Sequence, residues 1–446
     1  MQKVQNEKDN YWLKSGIINL LQNFSGTIIN LATFFVLVRL LSKNDYGVWG
    51  IYMQTITILE IVRNGLIQSA LIKFMSSSDK SEHTGILSAS LTISVSLTVI
   101  CVIFNLLFAG ALARLLKAPE LEPMFHLYNI VFLFSGIITQ LNCIEQANFS
   151  YKGVFASSLV RGLVLFSFLL VCFSLKITTN LVSLVYIQMI SVALGLIAAW
   201  IYTKRYVHLA YEFSKGWIMK IFHYGKYAFA TSLSSILSGT IDQWMLAGMI
   251  SPAASGSFSI AVKVVNLVDI PTNAVAIIVF PQSAKRIESE GKPAIKYLYE
   301  KSVGTILAMV IPALIFIYIF DGYIINLLAG SKYQDTIPIL NVTLLYCVLG
   351  PFGRQFGVII DSIGKTRITF IVVVVNTFVI LILNYFFIKK YGTIGAAYAT
   401  LISNIFGFSV AQYILWKELR VNPLNAFVYA FKFYPEFLNK YILKKN

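Results

Sequence analysis

The sequence predicts an all-α, polytopic membrane protein with twelve transmembrane helices in two six-helix bundles. Three observations predict it. Hydrophobic residues make up 57% of the 446 and charged residues only 13%, with a mean hydropathy of +0.72. Apolar runs follow one another almost end to end, each with the ~20 residues a helix needs to cross ~30 Å of hydrocarbon. The runs are continuous rather than alternating. In hydrocarbon only helices or a closed barrel satisfy the backbone, and continuity selects the helix.

The expected spans are 16–40, 46–71, 85–109, 123–143, 155–175, 181–202, 225–250, 256–281, 302–329, 337–360, 367–388 and 393–416. Residues 1–15 are polar and charged, and no small-residue cleavage site follows the first run, so that run is expected to be a retained helix. This divides the chain into an N-terminal segment (1–15), a first bundle (16–203), a linker (204–224), a second bundle (225–416) and a tail (417–446). In the linker, Trp217, Ile218, Ile221 and Phe222 make an apolar stripe among lysines, as in a helix lying in the headgroup layer. The tail repeats the pattern with Leu424, Phe427, Val428, Phe431, Leu438 and Tyr441.

Basic residues set the orientation. With a cytoplasmic N-terminus, 26 of the 36 lysines and arginines fall on inner segments and 8 on outer ones, while Arg63 and Lys263 stay inside the membrane. Both termini are therefore expected in the cytoplasm. The net charge of +16 reads as a topology signal with attraction to anionic membrane lipids. Dispersed over short inner segments, it does not suit nucleic acid. The six tryptophans sit near predicted helix ends, as an interfacial belt requires. Cys101, Cys143, Cys172 and Cys347 lie singly in apolar runs, without metal-ligand or disulfide spacing. No cofactor, metal or catalytic residue is predicted.

The halves echo each other. Ser25-Gly26-Thr27-Ile28 returns as Ser238-Gly239-Thr240-Ile241, and Tyr46-Gly47-Val48-Trp49 resembles Ser255-Gly256-Ser257-Phe258. Nearly the same offset brings Glu60 onto Asp269. Polar residues inside a membrane are costly and face a cavity or another helix, and four helices carry them at helical spacing. The first has Asn19, Asn23, Gly26, Asn30 and Thr33; the second has Thr57, Glu60, Asn64 and Gln68, with Arg63 beside them. The seventh has Thr231, Ser235, Ser238 and Asp242; the eighth has Ser259, Lys263, Asn266, Asp269 and Asn273, interrupted by Pro271. The third, fifth and ninth spans read as almost wholly apolar. A wet passage lined by the four polar helices is expected. The plainer alternatives are polar rows serving as interhelical glue, an Asp242–Lys263 ion pair, and an Arg63 that snorkels to the headgroups.

The turn Arg39-Leu40-Leu41-Ser42-Lys43-Asn44-Asp45-Tyr46-Gly47 resembles the signature of Wzx-type polysaccharide (O-antigen) flippases, in the multidrug/oligosaccharidyl-lipid/polysaccharide exporter superfamily. Asp242, Ala261, Phe280-Pro281, Gly364-Lys365, Asn384 before Tyr391-Gly392, and Gly395-Ala396-Ala397-x-Ala399-Thr400 are similar to the same pattern. The resemblance covers about residues 15–416. It implies a MATE-like fold and a lipid-linked oligosaccharide substrate on undecaprenyl diphosphate. Transport would be by alternating access, with polysaccharide polymerase or assembly proteins as further partners. On this reading Arg63 and Lys263 bind the anionic head, Asn23, Asn30, Asn64, Gln68 and Asn266 line its path, and Glu60, Asp269 or Asp242 couples an ion, a proton or the membrane potential. A MATE-like cation-coupled drug antiporter is the nearest rival, and a membrane glycosyltransferase or polymerase the rival from another class. The latter would need a sizeable outer loop or paired interfacial carboxylates, and the sequence offers neither.

Overall fold

The computed structural model describes residues 24–207 and 212–439. Among them the regular elements are helices, without a strand. In chain order they are α1 (Phe24–Leu40), α2 (Lys43–Asn64), α3 (Gln68–Ser77), α4 (His83–Leu115), α5 (Leu121–Ala147), α6 (Lys152–Ser174), α7 (Leu181–Thr203), α8 (Lys215–Met249), α9 (Pro252–Val268), α10 (Ile270–Ser289), α11 (Lys292–Ile319), α12 (Asp321–Ala329), α13 (Ile337–Cys347), α14 (Gly350–Ser362), α15 (Thr366–Tyr391), α16 (Thr393–Leu419) and α17 (Pro423–Phe437). The protein is a multi-pass membrane protein. Among the described residues eight helices are long and apolar enough to cross, and up to ten if each of two bent pairs counts as one span. The expected count of twelve is larger. Residues 16–23 of the first expected span lie outside the described residues, and α8, the seventh, carries Ser232, Ser234, Ser235, Ser238, Thr240, Asp242 and Gln243 within the expected span, which lower its apolarity.

The chain forms two compact units that part between Ile236 and Leu237, within α8. The first part of α8 belongs with the first unit for a steric reason. A Cβ on Gly225 would lie 1.9 Å from the carbonyl oxygen of Leu66, and one on Gly65 would lie 3.1 Å from the Phe229 ring. The stripe expected in the headgroup layer is the opening of α8 itself: Ile221 is buried against Ala70 and Ala89, with Trp217 and Ile218 packed alongside. At the core of this unit is α5, with 56% of its span buried against 17% for α6. It packs on α2, α3, α4, α6 and α7.

In the second unit two helix pairs are sharply bent. The α9–α10 pair bends by 49° and α13–α14 by 41°. Pro271 and Pro351 occupy the first turns of α10 and α14, where the missing N–H ends a continuous ladder. Asp269 is the junction residue of the first pair, and a Cβ on Gly350 at the second break would lie 4.0 Å from its Oδ1. Val303, Leu307, Phe352, Phe356 and Leu415 form part of the buried core around α11. Along α11 runs the tail helix α17, with Ala426 and Ala430 against Gly304 and the Tyr434 hydroxyl donating to the Ala308 carbonyl at 2.6 Å. Glu300 accepts the Asn422 N–H at 2.9 Å and the Asn425 amide at 3.0 Å. The apolar stripe Leu424, Phe427, Val428 and Phe431 is left exposed; Tyr441 lies outside the described residues.

Candidate membrane transport site

Most of the recurring motif residues serve the backbone. Ser42 Oγ accepts the Asp45 N–H at 3.1 Å and donates to Asp45 Oδ2 at 2.7 Å, so Ser42 is the N-cap of α2. Arg39 lies 3.7 Å over the Phe35 ring, and Tyr46, Gly47, Val48 and Trp49 are buried. The matching stretch Ser255-Gly256-Ser257-Phe258 is buried likewise, while Gly26 and Gly239 both face open space. Gly395 is fixed by crowding, because a Cβ there would sit 2.1 Å from the carbonyl oxygen of Phe387.

Three motif residues instead converge on one point. Asp242 of α8 is buried, and its Oδ1 accepts from the Asn384 amide of α15. Its Oδ2 accepts from the Thr400 hydroxyl of α16 at 3.0 Å. The other Asn384 atom, Oδ1, is buried with no hydrogen-bond partner. The carboxylate, the orphan amide oxygen and the hydroxyl supply hard oxygen donors, the set that suits a proton or a small cation. Among the described residues no group of three or more His, Cys, Asp or Glu is placed to hold a metal ion. Sequence spacing cannot show this cluster, since its members are 142 and 158 positions apart.

In the first unit Arg63 is fully buried. Its guanidinium donates to the Phe132 carbonyl, to Ser135 Oγ at 3.1 Å and to Asn64 Oδ1 at 3.0 Å, and lies 4.0 Å over the Phe132 ring. The snorkelling alternative is excluded, because a group at 0% exposure reaches no headgroup. The same burial keeps this guanidinium from presenting an open face to a ligand. Glu60, one turn earlier and half-buried, accepts the Tyr128 hydroxyl at 3.2 Å. Tyr128 packs edge-on to Tyr52, whose hydroxyl donates to Gln188 Oε1 at 2.9 Å. Asn64 is half-buried, and Gln68, beyond a break at 65–67, is exposed on α3; Asn30 is exposed on α1. Asn23 lies outside the described residues.

On α9, Lys263 and Asn266 are exposed and Asp269 is half-buried at the helix break.

The third span departs from expectation. Ser88, Ser90, Ser94, Thr98 and Asn105 of α4 are all buried, a polar stripe that pairs with α5: Asn105 donates to the Phe125 carbonyl at 2.7 Å and to Asn129 at 2.8 Å, and Ser90 donates to Gln140 at 3.2 Å. Leucines, valines and phenylalanines exposed on the other side, Leu91 to Phe108, mask the stripe in any averaged hydropathy. The sequence reading also passed over Glu145. It is fully buried and accepts the Gly153 and Val154 N–H groups at 2.9 Å each, fastening the start of α6.

Comparisons with known proteins bear on this geometry. A family model described as "Polysaccharide biosynthesis protein" matches residues 36–338. A membrane protein of Methanocaldococcus jannaschii, MJ1068, is 26% identical over 69% of this chain, and the match spans 60% of that protein's length. A putative O-antigen transporter of Shigella flexneri is 22% identical over 90% of this chain and 97% of its own. Among solved structures, the lipid II flippase MurJ in an inward closed conformation superposes with a TM-score of 0.74 at 17% identity, covering 96% of this chain and 93% of that one. An inward-facing MATE family multidrug resistance transporter of the MOP superfamily gives 0.75 at 17%, covering 87% and 94%. At these identities the structures show the fold alone, which is the MATE-like helical fold expected from the sequence.

Proposed function

We propose, from the premise that this chain belongs to the polysaccharide biosynthesis protein family, that it flips a lipid-linked oligosaccharide across the membrane. The substrate is a glycan unit on undecaprenyl diphosphate, turned from the inner to the outer leaflet of a bacterial plasma membrane. The protein acts by alternating access, with both termini in the cytoplasm, and hands its cargo to polymerase or assembly proteins. The observation that carries this reading is Lys263, exposed on a membrane-spanning helix with Asn266 one turn on. A cation kept in a span at a cost of ~2.5–3.5 kcal/mol suits an anionic diphosphate and repels a cationic drug. Asn30, Asn64 and Gln68 supply further hydrogen bonds for sugar hydroxyls, and Asn23 belongs to the same row.

Arg63 contributes by holding the Glu60 helix in place. Coupling is assigned to Asp242 with Asn384 and Thr400, where protonation or a small cation would neutralise the carboxylate, and secondarily to Glu60 and Asp269. The test is transfer of a diphosphate-linked glycan lipid in proteoliposomes. Lys263→Glu, which reverses the charge at an exposed position, should lower transfer at least about tenfold with the thermal unfolding midpoint unchanged. Undiminished transfer by that variant defeats the assignment.

A further inference from the structure

The inner cores of both units are accounted for, but a cavity at the end of α16 is not. It is an open pocket of about 510 Å³ lined by Gln412, Tyr413, Trp416, Arg420, Val421, Asn422 and Pro423. Gln412, Trp416 and Arg420 recur at i, i+4 and i+8, so they share one side of the helix. Trp416 marks the membrane boundary at the end of an apolar span.

Three observations on this cavity point to a ligand. Gln412 is 9% exposed. Its Nε2 donates to the Tyr299 hydroxyl at 2.8 Å, while its Oε1 is buried with no partner. A buried amide oxygen without a donor is costly and calls for an O–H or N–H from whatever fills the space. At the rim, Arg420 is exposed and its guanidinium lies 5.0 Å over the Trp416 ring. Among the described residues no carboxylate forms an ion pair with it. The nearby acids are engaged elsewhere: Glu418 by Lys365 at 2.6 Å, and Glu300 by Asn422, Asn425 and Lys296. Arg420 also holds φ 56°, ψ 35°, the left-handed position after a helix where glycine is the comfortable residue. Its N–H bonds back to the Trp416 carbonyl at 2.9 Å. A long cationic side chain therefore stands where the backbone alone would favour none.

We infer that this cavity binds a phosphate ester carrying free hydroxyl groups. Arg420 takes the phosphate, Trp416 and Tyr413 cover the carbon skeleton, and Gln412 Oε1 accepts a hydroxyl. Such a group is presented both by the glycerol-phosphate headgroup of a phospholipid and by a soluble sugar phosphate. The inference is independent of the transported substrate and of the residues assigned to transport.

The experiment is native mass spectrometry of the full-length protein in detergent, titrated with phosphatidylglycerol or phosphatidylcholine, with glucose 1-phosphate as a soluble competitor. Arg420→Gly relieves the backbone conformation while removing the cation, so it should melt no lower than the parent protein. Gln412→Leu removes the acceptor at similar volume. Each should weaken the phosphatidylglycerol adduct about tenfold, on the order of one hydrogen bond. Loss of the adduct in both variants without competition by glucose 1-phosphate identifies the headgroup as the ligand, and competition identifies the soluble ester. Equal adducts in parent and variants, or equal binding of phosphatidylcholine, which has no hydroxyl to offer, overturns the inference.

Discussion

Replacing Arg63 separates two explanations for a cation buried in a membrane bundle. The guanidinium makes three hydrogen bonds, to the Phe132 carbonyl, Ser135 and Asn64, and covers the Phe132 ring. Hydrogen bonds between membrane helices average ~0.6 kcal/mol, so three contribute about 2 kcal/mol. A desolvated cation–π contact adds about 1 kcal/mol. Methionine fills a similar volume flexibly, which keeps the cavity contribution small, and Arg63→Met should cost about 3 kcal/mol. At ~2–4 °C per kcal/mol for a unit of this size, the unfolding midpoint in detergent should fall by roughly 10 °C. Arg63→Lys should recover less than half, because a compact ammonium cannot reproduce the planar fork. The midpoint is read by intrinsic fluorescence, and transport by glycan-lipid transfer in liposomes below the midpoint of the variant. A variant that melts like the parent yet moves no glycan would refute the structural role and make Arg63 a substrate ligand.

Asp242→Asn preserves shape but removes the charge that Asn384 and Thr400 address; it should leave the midpoint within a few degrees, as expected of ~1 kcal/mol, and abolish the response of transfer to an imposed proton or sodium gradient. Retention of that response would take Asp242 out of the coupling step. Gly225→Val should yield no monodisperse protein on size exclusion, because its Cβ would lie 1.9 Å from a backbone oxygen that cannot rotate away; a well-behaved variant would mean that α8 does not lie as closely on Leu66 as described.

The helical membrane architecture was legible because each span is chosen by a local property, length and apolarity, that averaging over a window preserves. The span count and the breaks were not, since a bent pair such as α9–α10 reads as one run until its halves are placed. Pro271 was visible as an interruption, and the 49° bend is its consequence. The motif residues were legible as a set but not by role. Ser42 and Gly395 answer to a cap and a close approach, whereas Asp242, Asn384 and Thr400 meet across three helices.

Arg63 and Lys263 show where sequence reasoning ends. Both are cations in apolar spans, both sit in polar rows, and the energetic argument that each needs a partner is the same for both. That argument says a charge must be compensated; it does not say whether water or protein does it. For Arg63 the answer depends on α5: the Phe132 carbonyl, Ser135, and Gly136, where a Cβ would lie 2.9 Å from the Arg63 Nη1 atom. A glycine 73 positions down the chain makes the room that turns this cation inward, and no spacing rule along α2 contains that information. Lys263 stands on α9 as an exposed residue. The polar stripe of α4 makes the same point from the opposite side. Ser90 and Asn105 are satisfied by α5, so a row of polar residues by itself marks either glue or a passage. What distinguishes them is whether the facing helix supplies the complementary groups. By that criterion Arg63 and the α4 residues that bond to α5 are structural.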